Sequence, residues 1–591
     1  MVTLAPPQPA LLPEPQPAGP GFVRRVLARF PDRDAAAPAR PPSTGTPWEI
    51  RILALLALAA YLFAGWWLRH HLHFAVGDAL ARTANAKYML FARHPHFAAL
   101  GFVWMPIPTV SQLPAMLIAE PLGYAADAGW VTTALWGGAT VLVLGRMSRH
   151  LGVPRITGLL ITLAFAFNPV IVYYAANGMS EGPLFFFIVL TFSGLLRYLR
   201  DGYTAALLVA GLGVAGCALD RYEAVPLLFV VMGAVLLADL RKFGHNRAAT
   251  STLLVGIPGV AGVTLWFLYM KVIKGSFRAF LTDASGNAQD AVPGAPTASG
   301  PVLHPLARAS DFALAAQSTP AGGAPINVSN TGLDPIQYTV HFILSYAPAI
   351  VLLPLVLLAF RPLRRLWGVV ALAAFAVFLP GVTTYLLMHI GSAGDPRYFV
   401  SSIAVATVVV VALAARTNIS VLRFLVHPLL VVALLLGWET GVHAQVDRNA
   451  TRQEQEWRVF DVAYGRVDTR DTRSIEAWAS FAKRFDKILQ PGDLAYDDVR
   501  YSFEAELYST KPKQFIINND ADFDKISADP YRPGVRIDYV VTSGGRGDGI
   551  DFGQRIVGAD PTAWQLIPGP GPGIIYKRLR QDSNIGPLGV G

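Results

Sequence analysis

The stretch IRILALLALAAYLFAGWWLRHHLHFAVGD, residues 50–78, decides the class of this protein. Its apolar part, residues 50–69, can cross a bilayer as one helix, because about 20 residues at 1.5 Å each match the hydrocarbon thickness. The remainder turns polar and ends at Asp78, an acid set just beyond the span. Ten further apolar runs follow, at 128–146, 156–175, 182–199, 203–219, 224–240, 250–270, 338–360, 366–388, 398–415 and 419–437. The expectation is a polytopic α-helical membrane protein with about 11 transmembrane helices. Several runs carry Gly and Pro, which the interior of a helix bundle tolerates.

Composition agrees with the runs. Of the 591 residues, 53% are hydrophobic and only 15% charged. The net charge of +9 does not point to nucleic acid, because much of it sits in short loops beside the spans. Arg146, Arg149 and Arg155, then Arg197 and Arg200, then Arg241, Lys242 and Arg247, then Arg361, Arg364 and Arg365, and finally Arg416 and Arg423 occupy alternate connections. Five loops therefore fall on one side with the N-terminus, which the positive-inside rule makes cytoplasmic. The single cysteine, Cys217, lies in apolar sequence and reads as a packing residue. Residues 1–48 are rich in Pro and Ala and read as a disordered cytoplasmic tail, with no cleavable signal peptide.

The organisation that follows is a transmembrane domain over 49–437, with outer loops at 70–127 and 271–337, and a polar outer domain over 438–591. Apolar periodicity in 70–127 predicts short helices at the membrane surface, and the 271–337 loop, rich in Gly, Ala, Pro and Ser, reads as partly mobile. In the C-terminal part a helix around 472–489 and strands at 514–518, 537–542 and 574–577 predict a small α/β domain.

The connections opposite the Arg-rich side gather ionisable groups, and such groups at a membrane surface are costly enough to suggest work done there. Asp78 can bind a divalent cation such as Mg or Mn, or take a proton from a hydroxyl; it can also pair with Arg82 one turn on. His94 and His96, in FARHPHF, are separated by one proline and can ligate metal, with no third ligand specified by the spacing, contact phosphate, or pack. In NPVIVYYAANGMSEGPLFFF, Asn168 and Pro169 interrupt one helix while Ser180 and Glu181 open the next. Glu181 there caps the helix, orients a sugar hydroxyl or holds a donor. Asp220, Arg221, Tyr222 and Glu223 break the apolar run between two spans, and Arg221 either pairs internally or meets a phosphate. His389, Asp395, Arg397 and Tyr398 close the group in HIGSAGDPRYFV. An arginine at a span's mouth can hold a lipid phosphate while the prenyl chain stays in the bilayer.

Taken together, GDALARTANAKYML, the 168–187 segment and DPRYF resemble the GT-C superfamily of polytopic glycosyltransferases over residues 50–437. The likeness is to its protein O-mannosyltransferase and aminoarabinose-transferase-like branch. The resemblance implies transfer of a sugar from a polyprenyl-phosphate donor to a glycan, lipid or protein acceptor outside a bacterial cytoplasmic membrane. Under it Asp78 is the base, Arg397 holds the leaving phosphate with Arg221 or His389 as helpers, and Glu181, Glu223 and Tyr398 join the substrate site. Many relatives carry an acidic pair in the first loop, whereas Gly77 and Ala79 flank Asp78 here. That departure weakens a two-carboxylate metal site, and the resemblance leaves the C-terminal domain unexplained.

A transporter or flippase-like assembly component is the rival class. Paired half-chain repeats with ionisable groups at the midplane would mark it, and the sequence shows no such repeat. The RGD at 546–548 and the sequons at Asn327 and Asn418 are too short to establish a role.

Overall fold

The computed structural model describes residues 46–277, 335–351, 396–417, 420–446, 459–460, 474–518, 520, 522–530, 536–542 and 552–579. His389, Asp395, Arg361, Arg364, Arg365, the 366–388 run and most of the N-terminal tail and 271–337 loop lie outside that set.

Among the described residues, six helices are long and apolar enough to cross a membrane: Trp48–His71, Ala125–His150, Glu181–Asp201, His245–Lys274, Arg397–Ala415 and Phe424–Val446. Arg155–Ala166 and Pro169–Ala176, bent by 58° at their junction, make a seventh if counted together. The expected eleven included the 366–388 run and the last part of 338–360, which lie outside the described residues. Ala205–Asp220 and Val225–Phe243 form where spans were expected, but the Asp220–Glu223 segment cuts their apolar length short. The 338–360 run is helical over Pro335–Tyr346 and then tightens into a 3-10 turn at Pro348–Val351.

Small residues set how closely these helices approach. A Cβ on Gly194 would lie 2.5 Å from the Ala210 amide nitrogen, and one on Gly213 2.5 Å from that of Thr191. Such contacts replace the hydrophobic drive that lipid cannot supply. The bundle's two ends differ in chemistry. At one, Arg155 pairs with Glu49 at 2.8 Å, Arg200 donates to the His150 carbonyl, and His427 links Thr157 and Thr417. Arg155, Arg200 and His427 thus share an end, and Asp78, Glu181 and Arg397 meet at the other.

At the acidic end the outer segment folds as expected into short helices, Gly77–Phe91, Ile107–Val110 and Leu113–Ala119. On them sits the C-terminal domain, whose five-stranded sheet has the order β2-β1-β3-β5-β4. The strands are β1 (Ala495–Asp497), β2 (Phe515–Ile517), β3 (Tyr539–Thr542), β4 (Trp564–Ile567) and β5 (Ile574–Arg578). β1 runs parallel to β2 and β3, while β5 is antiparallel to both β3 and β4. The expected α/β domain is present. Its helix spans Ser474–Ile488, and three of its strands fall where the apolar runs placed them. One apolar cluster joins Leu80, Tyr88, Phe102 and Met116 of the outer segment to Trp478, Phe481, Phe485 and Phe515 of the domain.

Candidate functional site

Val76 leaves the chain extended and starts the Gly77–Phe91 helix, so Asp78 lies in its first turn. Free backbone N–H groups there favour a negative charge. Asp78 Oδ2 lies 3.1 Å from Arg397 Nη1. Arg397 rides the Pro396–Phe399 turn that leads into the Ser401–Arg416 helix. The Asp78 side chain keeps 33% of its surface exposed, against 12% for Arg397. Burial would raise the Asp78 carboxyl, but Arg397, Arg82 and Arg221 outweigh it and hold the group below the ordinary carboxylate range.

Arg82 does not form the one-turn pair that its spacing allows. Its guanidinium lies over the Trp104 ring, 4.5 Å from the centroid, and Nη1 reaches Met179 Sδ at 3.5 Å. It still feels both Asp78 and Glu181 across the site. Trp104 is the platform for this arginine.

Glu181 arrives by a different route. The Asn168 side chain accepts from the Val170 amide at 2.9 Å, which starts Pro169–Ala176 after the bend. Gly178 then turns at φ +84°, a conformation that a side chain disfavours, with the Ala79 Cβ 3.3 Å from where its own would stand. That turn sets Ser180 and Glu181 beside the Asp78 helix. Glu181 is fully buried and pairs with Arg221, which also donates to Ser180 Oγ at 3.2 Å. Glu181 Oε2 has no hydrogen-bond partner among the described residues. Tyr398 lies close to two guanidiniums, with Arg221 5.0 Å and Arg397 5.4 Å from its ring centroid.

Asp78, Glu181, Arg221, Arg397 and Tyr398, drawn from four separate segments, therefore meet at one place. Of the remaining sequence candidates, Glu223 lies in the Tyr222–Ala224 turn with its side chain outside the described set. Arg82 is the member that sequence treated only as an ion-pair partner. Among the described groups that act on Asp78 and Arg82, three guanidiniums then face two carboxylates, a balance that favours an anion. The partly exposed Asp78 carboxylate offers a proton acceptor beside that anion seat.

The histidines lie elsewhere. His94 meets Asp520 of the C-terminal domain, its Nδ1 3.2 Å from Oδ1, and Asp522 brings a third ligand atom within 4.8 Å. His94, Asp520 and Asp522 can hold a divalent cation. Burial pushes the Asp520 carboxyl up, and Arg93 already pairs with Asp522 at 2.9 Å. Of the three metal candidates Asp78, His94 and His96, only His94 belongs to this set; the His96 Nδ1 lies 2.6 Å from the His94 carbonyl. No local spacing links His94 to Asp520, 426 positions away.

No family model matches the chain, and no curated protein matches it. Among solved structures, the chain is similar to ArnT from Cupriavidus metallidurans bound to undecaprenyl phosphate, with 13% identity and a TM-score of 0.41 over 90% of this chain and 98% of that one. It is also similar to the archaeal oligosaccharyltransferase AglB from Archaeoglobus fulgidus in complex with an inhibitory peptide and a dolichol-phosphate (11%, TM-score 0.37, 84% and 70% covered). A third is the S. cerevisiae protein O-mannosyltransferase Pmt1-Pmt2 complex bound to the sugar donor (15%, TM-score 0.30, 44% and 38%). Superpositions this loose leave any functional reading to rest on the site residues.

Proposed function

We propose that the protein is a membrane glycosyltransferase of GT-C type, moving a sugar from a polyprenyl-phosphate donor to an acceptor hydroxyl. The observation that carries the reading is the partly exposed Asp78 carboxylate held against Arg397, with Arg221, Arg82 and Tyr398 beside it. A base and an anion seat in contact, at the end of a helix bundle, suit a reaction whose nucleophile loses a proton as its leaving group gains charge.

In this reading the prenyl chain stays among the spans while the phosphate meets Arg397, with Arg221 as helper. The acceptor hydroxyl gives its proton to Asp78. Its oxygen attacks the anomeric carbon as the bond from that carbon to the phosphate oxygen breaks. The electron pair leaves on polyprenyl phosphate, and Arg397 and Arg221 stabilise it. One displacement inverts the anomeric centre, and phosphate needs no second protein acid to depart. Glu181 orients Arg221 and, through it, the sugar or phosphate. If a divalent cation such as Mg or Mn takes part, His94, Asp520 and Asp522 would hold it, and it would tie the C-terminal domain to the outer segment.

The Arg-rich end then faces the cytoplasm of a bacterial cell, and the site and C-terminal domain lie outside it. The test is transfer itself. Purified protein in lipid, given labelled polyprenyl-phosphate sugars and a native envelope extract, yields labelled product together with free polyprenyl phosphate. A folded protein that translocates lipid or sugar and transfers none points instead to the transporter class.

A further inference from the structure

The Asp78–Arg397 contact poses a problem that the proposed reaction has to solve. A carboxylate bonded to a guanidinium is a poor base, and a guanidinium bonded to a carboxylate is an occupied phosphate ligand. Here the two are the same contact, 3.1 Å long, with a third of the Asp78 side chain open to solvent. The neighbouring pair is different, since Arg221 and Glu181 are both buried. The open contact is the one a ligand can exchange.

Resting on the reading of Arg397 as the donor-phosphate residue, we infer that Asp78 is the resident occupant of the anion seat and that a phosphate-bearing lipid binds by displacing it. One exchange then does two things. The phosphate takes the Arg397 N–H donors, and the released carboxylate loses its nearest cation and regains affinity for a proton. Base activation follows donor binding, so an acceptor hydroxyl arriving first meets an Asp78 that is tied down. Arg82 and Arg221 remain within electrostatic reach of the freed carboxylate and keep it near the site. Arg82 holds its own place against Trp104 and Met179, and therefore need not move.

Competition has a thermodynamic signature, because an intramolecular rival lowers apparent affinity by the fraction of time that it holds the seat. A short-chain polyprenyl phosphate carrying no sugar, and the matching neutral polyprenol, are titrated into full-length protein in nanodiscs. Wild type prefers the phosphate, and Arg397→Gln loses that preference. Asp78→Asn and Asp78→Ser each bind the phosphate more tightly, by about tenfold, while Asp78→Glu, which keeps a carboxylate, shows no such gain. The gain disappears when Asp78→Asn is combined with Arg397→Gln, as coupled partners require. Unchanged or weaker phosphate binding by folded Asp78→Asn and Asp78→Ser, with Arg397→Gln still impaired, overturns the displacement and leaves the donor reading standing. Phosphate that binds no better than polyprenol to wild type removes the donor reading itself.

Discussion

Lys87 places its ammonium 2.8 Å from the carbonyl of Ser509, and the same helix carries Asp78 about two and a half turns earlier. The Lys87 nitrogen also takes the carbonyls of Glu506 and Leu507 at 3.1 Å each and pairs with Glu120 at 3.2 Å. These carbonyls end the Val499–Tyr508 helix of the C-terminal domain, where a cation is favoured. The outer helix is thereby fixed at one end by Arg397 and at the other by the domain. Arg69, bonded to the Tyr508 hydroxyl, and His73, 2.8 Å from Glu476, extend the same seam.

Replacing Lys87 tests whether that seam holds the site in place. Lys87→Met leaves Glu120 without its buried partner and the helix carbonyls without a donor, a loss of about 3 kcal/mol. The expected outcome is faster proteolysis of the C-terminal domain, a lower unfolding temperature and reduced transfer at unchanged donor affinity. Unaltered proteolysis would detach the seam from stability.

A pH effect comes from Glu506. Its side chain is fully buried, neither carboxylate oxygen has a hydrogen-bond partner among the described residues, and burial pushes the carboxyl up to about 8. Lys87 opposes the rise, and Glu120 and Asp520 add to it. The folded state therefore holds a proton that the unfolded chain has released at ordinary carboxylate pH. Stability from this group is complete below that range and is lost as pH climbs through about 8. Protection from hydrogen exchange along Val499–Tyr508, corrected for the base-catalysed intrinsic rate, should fall over that interval in wild type and stay flat in Glu506→Gln.

The buried Glu181–Arg221 pair separates structure from chemistry. Arg221→Gln strands Glu181 in the protein interior and should cost about 3–5 kcal/mol. Adding Glu181→Gln removes the stranded charge, so the double variant should regain most of its stability. Transfer should not return, since Arg221 is assigned to the phosphate. Recovery of both would make the pair structural only.

At Arg397 the shape of the donor matters as well as its charge. Arg397→Lys keeps a cation but loses the planar fork that can grip two oxygens. It should bind polyprenyl phosphate more weakly than wild type and better than Arg397→Gln, with the loss seen in donor KM and kcat together. Equal binding by Lys and Arg would reduce the residue to a point charge.

Much of this was legible beforehand, because apolar length and Arg placement are local signals. The convergence of Asp78, Glu181, Arg221, Arg397 and Tyr398 followed from reading their segments onto one side of the bundle. Short central strands were harder. β1 is the three residues Ala495–Asp497, with one acid buried inside it, and its sequence gives no alternation to read. The Arg82–Trp104 stack and the Lys87 and His94 contacts were hidden for another reason. Arg82 and Lys87 share the helix of Asp78, but their partners come from other segments, and helical spacing points only to neighbours on the same element. Two of the expected spans are shorter apolar helices, because the charges at Asp220–Glu223 interrupt them.

The central claim is that Asp78 takes the acceptor's proton, and Asp78→Asn tests it most directly. With one competent donor and its acceptor in hand, initial rates of sugar transfer and of polyprenyl phosphate release are compared between wild type and the folded variant. The expected result is a fall of about 10²–10⁴-fold in transfer, with donor binding at least as tight as in wild type. A variant that folds, binds the donor and transfers sugar at the wild-type rate would contradict it.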